Sequence, residues 1–177
     1  MQESQSRVGI GYDSHRLGPN RPLMLGGVRV PFELGLIGHS DADVLLHAIG
    51  DAICGAAGLP DIGRLFPDTE AQWRGADSWL LLRGIATRAA EKGWELENVD
   101  AVLVAQKPKI SPYIDAMRGR VADALEPLGT NEVLESRCNR VNIRGKTAES
   151  LGPIGAGEGM EAHAVCLLSR KPDVPAM

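Results

Sequence analysis

Cysteine is scarce in this chain, and an excess of positive charge is absent. Cys54, Cys138 and Cys166 are the only cysteines among 177 residues. An odd, widely separated set in apolar surroundings frames neither a disulfide scaffold nor a zinc knuckle, and reads as buried thiols without chemistry. Nineteen Lys and Arg stand against 23 Asp and Glu, for a formal charge of −4. The two signs are interspersed, which leaves no electrostatic footprint for nucleic acid, so any anionic ligand must be met by local groups. No apolar run approaches membrane-spanning length, and Met1 to Ser6 is polar, without the apolar centre of a secretory signal. The expectation is a cytoplasmic protein with no membrane partner. The length suits one domain with a substantial core. That domain is expected over residues 7–170, between a disordered N-terminus at 1–6 and a flexible tail at 171–177 that holds two prolines.

What is present begins with the stretch His39-Ser40-Asp41-Ala42-Asp43-Val44-Leu45-Leu46-His47. Leu45, Ala48, Ile49, Ala52, Ile53 and Ala56 recur at helical spacing, so one helix face packs inward, and Ser40 or Asp41 is placed to cap the first turn. Asp43, His47 and Asp51 fall four apart on a second stripe. A histidine there can point toward a ligand, beside helix N–H groups suited to an anion. Taken alone, this stretch reads equally well as a capped amphipathic helix with a solvated acidic edge. Upstream, Val8, Ile10 and Tyr12 alternate with Gly9 and Gly11 as in a strand, and period-two geometry puts Asp13 and His15 on one side. With His47 they make two imidazoles and one carboxylate, a set that leaves a fourth tetrahedral position open on zinc.

The remaining elements follow from local signals. Leu23-Met24-Leu25 and Val28-Arg29-Val30 flank Gly26-Gly27, a tight hairpin. The central helix stops near Gly58, with Pro60 beyond it. Asp61 to Asp68 is too short and broken for a regular element and reads as a shaped loop, followed by a polar loop to Gly75. A second helix starts at Asp77 or Ser78 and runs to Lys92, with Trp79, Leu82, Ala86 and Ala89 inward. Val99 to Ala105 is apolar on both faces, as in a central strand covered by helices or by a neighbouring subunit. Ser111-Pro112 opens a third helix with Ile114, Met117, Val121 and Leu125 inward. Residues 138–144 and 158–169 give two last strands, the second alternating through Met160, Ala162, Ala164, Cys166 and Leu168; His163 in it reads as structural. Between them, Thr147 offers donors to phosphate and Glu149 a hard oxygen to magnesium, although Lys146-Thr147-Ala148-Glu149 by itself reads as a helix cap. The glycine-rich run from Gly152 to Gly159 lacks a P-loop lysine and reads as a turn or subunit contact. The element order implies an α+β single domain with a mixed four- to five-stranded β-sheet and three helices.

The motifs GYDSHRLG, LGGVRVP, GHSDADVLLHAIGDAICGAAGLPDIGRLFPD, GADS, AQKPKISP and KTAESLGPIGAGEG, in that order, resemble the 2-C-methyl-D-erythritol 2,4-cyclodiphosphate synthase family of the non-mevalonate isoprenoid pathway, from about Arg7 to about Arg170. The resemblance implies a homotrimer with sheets packed around a three-fold axis and active sites between subunits. It implies cyclisation of 4-diphosphocytidyl-2-C-methyl-D-erythritol 2-phosphate with release of CMP. Zinc would sit on Asp13, His15 and His47, magnesium or manganese would accompany the substrate near Glu149, and His39 and Thr147 would stabilise the transition state, flanking the metal centre. Ser14, Ser40, Asp61, Ile62, Gly63, Phe66, Pro67, Asp68, Thr69 and Glu70 would surround the methylerythritol and phosphate groups. Ala105, Gln106, Lys107, Pro108, Lys109, Ile110 and Ser111 would form the cytosine pocket, with Lys146 and Ala148 beside Thr147. The chain departs from the family pattern at Pro153 and Ala156, where many relatives have an aromatic residue and an arginine. An axial site without that arginine lacks its clamp for an isoprenoid diphosphate. On the residues alone, two other classes stay open. One is a zinc phosphohydrolase on the same trio with Asp41 or Asp43 as base, and the other is a non-catalytic nucleotide-binding trimer.

Overall fold

The computed structural model describes residues 5–67, 69–70, 73, 75–129 and 133–170. The N-terminal strand β1 (Gln5–Gly18) and the C-terminal strand β7 (Gly159–Arg170) pair antiparallel along almost their whole length, from Gln5 opposite Arg170 to Arg16 opposite Gly159. Gln5 and Ser6, expected to be irregular, thus belong to the sheet, while residues 1–4 and the expected tail at 171–177 lie outside the described residues. β7 also pairs antiparallel with β5 (Glu95–Val104), and β5 pairs in parallel with β6 (Val141–Lys146). That parallel step needs a crossover, which α4 (Ile114–Ala124) supplies. With β4 (Gly35–Leu36) on the other edge, the sheet is mixed and five-stranded in the order β4-β1-β7-β5-β6. The hairpin of β2 (Leu23–Leu25) and β3 (Val28–Val30) stands apart and turns at Gly26 and Gly27, both at positive φ, as a two-residue turn requires.

Helix α1 (Val44–Ala57) lies directly on β1, and two glycines make this possible. A methyl group at Gly9 or Gly11 would run into the backbone oxygen of Ala52 or Ala48. Alternation then carries Asp13 and His15 onto the same helix-facing side as Gly9 and Gly11. The N-cap of α1 is Asp43, which accepts from Leu46 N, rather than Ser40 or Asp41. The reason is the turn before it. Ala42 sits at φ 59, a strained conformation held by its N–H bond to Ser40 Oγ, and this brings the chain into the helix two or three residues later than expected. At the other end Gly58 closes α1 at φ 62, as expected.

Two long helices, α1 and α4, pack on one face of the sheet, and α3 (Ser78–Glu91, capped by Asp77) packs against them, with Leu45, Ile49, Ile53, Leu82, Ile85 and Met117 in the core. Shorter pieces depart from expectation. One helical turn, α2 (Ile62–Leu65), forms inside the segment expected to be a loop, because Asp61 caps it through Arg64 N. The helix expected to open at Ser111 starts with a 3-10 turn over Ser111–Tyr113 and becomes α4 at Ile114. Leu134–Cys138 forms α5, so β6 starts at Val141 rather than at 138. The glycine-rich run contains α6 (Gly152–Gly155). Among the described residues no helix is long and apolar enough to cross a membrane.

Among the described residues, none covers the other face of the sheet. On β1 Val8, Ile10 and Tyr12 are 67%, 74% and 52% exposed, and on β7 Val165 is 44% exposed. The second face of β5, expected to be apolar, carries the half-buried Val102 and Val104, and β1 extends that apolar surface. Cys54 and Cys166 are buried, and burial pushes both thiols up to about 12, which fits their reading as inert.

Candidate active site

Asp13 and His15 on β1 meet His47 on α1 at the helix-facing side of the sheet. Asp13 Oδ2 lies 2.9 Å from His47 Nδ1 and 2.9 Å from His15 Nε2, and the two ring nitrogens are 3.2 Å apart. Three ligand atoms on one tetrahedral metal with bonds near 2.0–2.1 Å would be about 3.3 Å from one another. The observed triangle is close to that edge length, and the donor set of two imidazoles and a carboxylate fits a divalent metal. His15 Nδ1 donates to Ile37 O at 3.0 Å, which leaves Nε2 with its lone pair toward the triangle. Burial raises the Asp13 carboxyl, but the hydrogen bonds and charges of His15 and His47 outweigh it and hold the group well below the usual carboxylate range. For His47, burial pulls the imidazole down. The Asp13 carboxylate overcomes this and leaves it above the ordinary value of 6.5.

The triangle lines a cavity of about 250 Å³ together with His39, Ser40, Asp51, Ile62, Phe66, Trp73 and Leu81. The loop that bears His39 is pinned by Arg21, whose guanidinium donates to Gly38 O and Ser40 O at 2.9 and 2.7 Å. Of the loop residues expected here, Ile62 and Phe66 line the cavity. Asp61 caps α2, Gly63, Thr69 and Glu70 are exposed, Pro67 is half-buried, and Asp68 lies outside the described residues. Ser14 alternates to the exposed side, so its side chain faces away from the triangle. Trp73 and Leu81 were not foreseen. Asp51 had a signal, since it lies one turn beyond His47 on the same stripe; burial raises its carboxyl above the usual range.

Two carboxylates on the His39 to His47 stretch are engaged elsewhere. Asp43 is fully buried and accepts from Gly26 N, Gly27 N and Leu46 N, tying the hairpin to α1. It therefore does not share the outward stripe with His47. Asp41 accepts the hydroxyl and N–H of Ser78. Neither lines the cavity, which leaves the hydrolase reading without the bases it required.

A second cavity of about 530 Å³ lies where β5 and β6 end, lined by Ala105, Gln106, Lys107, Pro108, Lys109, Ile110 and Ser111, all seven expected, with Ile114, Gly145, Lys146 and Thr147. Thr147 donates from Oγ1 to Glu149 Oε1, and Glu149 and Ser150 both sit at positive φ. Ala148 is half-buried beside them. This cavity shares no lining residue with the first. Strand order separates β1 from β6 by three strand spacings, about 14 Å at about 4.8 Å each. Within one chain, then, Thr147 lies apart from the Asp13, His15 and His47 triangle, and the flanking position expected of it belongs to a site expected to lie between subunits.

The model of the YgbB family matches residues 6–169. Curated proteins of Burkholderia mallei and Burkholderia pseudomallei named 2-C-methyl-D-erythritol 2,4-cyclodiphosphate synthase are 53% identical over 166 residues, covering 93% of this chain and 96% of theirs. Among solved structures, the bifunctional IspDF of Campylobacter jejuni superposes with a TM-score of 0.86 at 39% identity, over 96% of this chain and 43% of that one. The CDP complex of IspF from Plasmodium falciparum does so with a TM-score of 0.77 at 33% identity, over 94% and 97%. With a family model spanning nearly the whole chain, and relatives at this identity matched end to end, the chain belongs to the YgbB family.

Proposed function

We propose that this protein is a 2-C-methyl-D-erythritol 2,4-cyclodiphosphate synthase of isoprenoid biosynthesis, acting as a cytoplasmic homotrimer with zinc on Asp13, His15 and His47. The observation that carries the reading is the three-atom triangle at tetrahedral spacing on the wall of a cavity, in a chain that matches named synthases across its length. The reaction is an intramolecular phosphoryl transfer. An oxygen of the 2-phosphate of 4-diphosphocytidyl-2-C-methyl-D-erythritol 2-phosphate attacks the β-phosphorus, the bond from that phosphorus to the bridging oxygen breaks, and CMP leaves. Such chemistry asks for positioning and charge neutralisation of a folded-back anion. Asp13, His15 and His47 would hold a zinc ion and Glu149 a magnesium or manganese ion, which would supply Lewis-acid charge to the phosphate and diphosphate oxygens.

This chain's own residues do the rest. His39 and Ser40 reach the same cavity as the trio and donate to phosphate oxygens, while Ile62 and Phe66 give the methylerythritol an apolar wall that excludes water. Ala105 to Ser111 hold the cytosine, Lys107, Lys109 and Lys146 add positive charge beside it, and the Thr147 hydroxyl donates to the diphosphate. The exposed face bearing Val8, Ile10, Tyr12 and Val165 is the surface on which copies pack, and packing there brings the metal cavity of one chain to the cytidine cavity of the next. Incubation of the protein with the cytidyl substrate tests the reading. The expected result is release of CMP and a cyclic diphosphate without incorporation of solvent oxygen, abolished by a chelator. Solvent oxygen in the phosphate product would indicate a hydrolase, and no release a binding protein.

A further inference from the structure

The donors around His47 can be ordered from one end. Asp41 as a carboxylate only accepts, and its Oδ1 takes the hydroxyl proton of Ser78 while Oδ2 takes the Ser78 N–H at 3.3 Å. With its proton committed, Ser78 Oγ turns a lone pair to His47 Nε2 at 2.9 Å. Nε2 must then be the protonated nitrogen. The free lone pair falls on Nδ1, the atom that faces Asp13 and His15. Ser40 Oγ is also 3.1 Å from Nε2, but a hydroxyl can donate or accept there and does not by itself choose a tautomer. Only the chain that ends on Asp41 does so. The same contacts join two segments that border the cavity, because Asp41 N donates to Ala76 O at 3.1 Å and Gly75 N to His39 O at 2.7 Å. Ser78 is 1% exposed, so water does not compete for its bonds.

We infer that Asp41 and Ser78 are positioning residues for the metal-ligating nitrogen of His47, a relay from Asp41 through Ser78 that fixes the ring's tautomer and ties it to the start of α3. The inference rests on the reading of Asp13, His15 and His47 as a metal set, and goes beyond it by assigning two residues that touch neither metal nor substrate. Asp41 serves here as the anchor of a ligand rather than as a helix cap or a base.

The test titrates the metal-free full chain with zinc against a chromophoric chelator, for the parent protein, Ser78→Ala, Asp41→Asn, the double variant and Ser78→Thr, with thermal unfolding of each metal-free protein alongside. Loss of an outer-shell partner weakens metal binding by about 10–100-fold. Ser78→Ala is expected near the lower end, since Ser40 Oγ remains beside Nε2. Asp41→Asn, which keeps the side-chain volume, weakens binding less. The double variant should equal Ser78→Ala, because Asp41 acts through Ser78, and Ser78→Thr should restore most of the affinity by keeping the hydroxyl. A fall in unfolding temperature with zinc affinity unchanged in both single variants would reduce the pair to a structural cap and overturn the relay. Additive losses in the double variant would overturn it as well. If the parent protein bound no zinc, the metal reading itself would fall, a result distinct from a relay that fails while the parent binds.

Discussion

The two cavities of this chain are built in opposite ways. The one at Asp13, His15 and His47 is made by a helix pressed onto a strand, its imidazoles are held by Ile37 O, Ser40 and Ser78, and Arg21 pins the backbone of the His39 loop. The one at residues 105–111 and 145–147 lies where β5 and β6 end, and its lysines are exposed. Acidic and imidazole groups line the first, and basic groups the second. A metal must be met by ligands fixed within tenths of an ångström, whereas a flexible nucleotide can be held by backbone and by mobile positive charge. The separation across β7 and β5 also teaches something about assembly. A substrate that needs both surfaces is best served when a second copy supplies one of them.

The sharpest way to break the comparison is to remove a ligand from one cavity and a cation from the other. In His47→Ala, bound zinc and activity should both be lost while unfolding stays cooperative, since the ligand lies off the apolar stripe of α1. Lys109→Ala should keep its zinc and show a raised KM. Metal analysis that finds full zinc in His47→Ala would end the ligand assignment. Next in size is the helix-strand contact. Gly11→Val places a branched side chain against the backbone of Ala48 and Ala52, and should cost about 3 kcal/mol or more in urea unfolding, with a parallel loss of zinc affinity. An unchanged urea midpoint would mean that α1 does not rest on β1 as described. Smaller again, Thr147→Val should lower kcat by about 10²-fold with little change in KM and none in zinc content. A pure rise in KM would assign the hydroxyl to ground-state binding.

The smallest effect separates the cavities by pH. The folded-state value of His47 is raised above 6.5, so its contribution to metal-free stability is complete below pH 6.5 and is lost as the pH rises through the folded value. Asp13 is lowered from 3.8, so its contribution is present above pH 3.8 and is lost as the pH falls toward the folded value. The metal-free chain is therefore strengthened between pH 3.8 and the raised value of His47. Zinc affinity should run the other way and rise with pH as His47 gives up its proton. Urea midpoints and zinc titrations across this range should show opposite slopes near the His47 value, and parallel slopes would contradict the assignment.

Much of this was legible in the sequence wherever a period carries the information. Alternation along β1 puts Asp13 and His15 on one side, helical spacing turns His47 off the apolar stripe, and glycine marks both the hairpin and the end of α1. Other features have no period to read. Ser78 meets Asp41 from 37 positions away, and no spacing rule connects them. Asp43 matches the His47 stripe by count, yet it turns inward because Gly26 N and Gly27 N offer donors that only the folded hairpin brings near. The helical pieces α2, α5 and α6 are each too short to show periodicity and depend on caps and tertiary contacts. The distance between Thr147 and the metal triangle follows from strand order, which neither composition nor spacing encodes.

In the proposed assembly, a working site joins the metal cavity of one chain to the cytidine cavity of another. Complementation tests it most directly: His47→Ala and Thr147→Val chains, each inactive or nearly so alone, are co-expressed, the mixed assemblies are purified, and CMP release is measured. In a cyclic trimer that contains both kinds of chain, one junction in three pairs an intact metal cavity with an intact cytidine cavity, so the purified mixed assemblies should recover to about a third of the activity of the parent protein. Mixed assemblies no more active than the two variants measured apart would contradict the account and place both halves of the site in one chain.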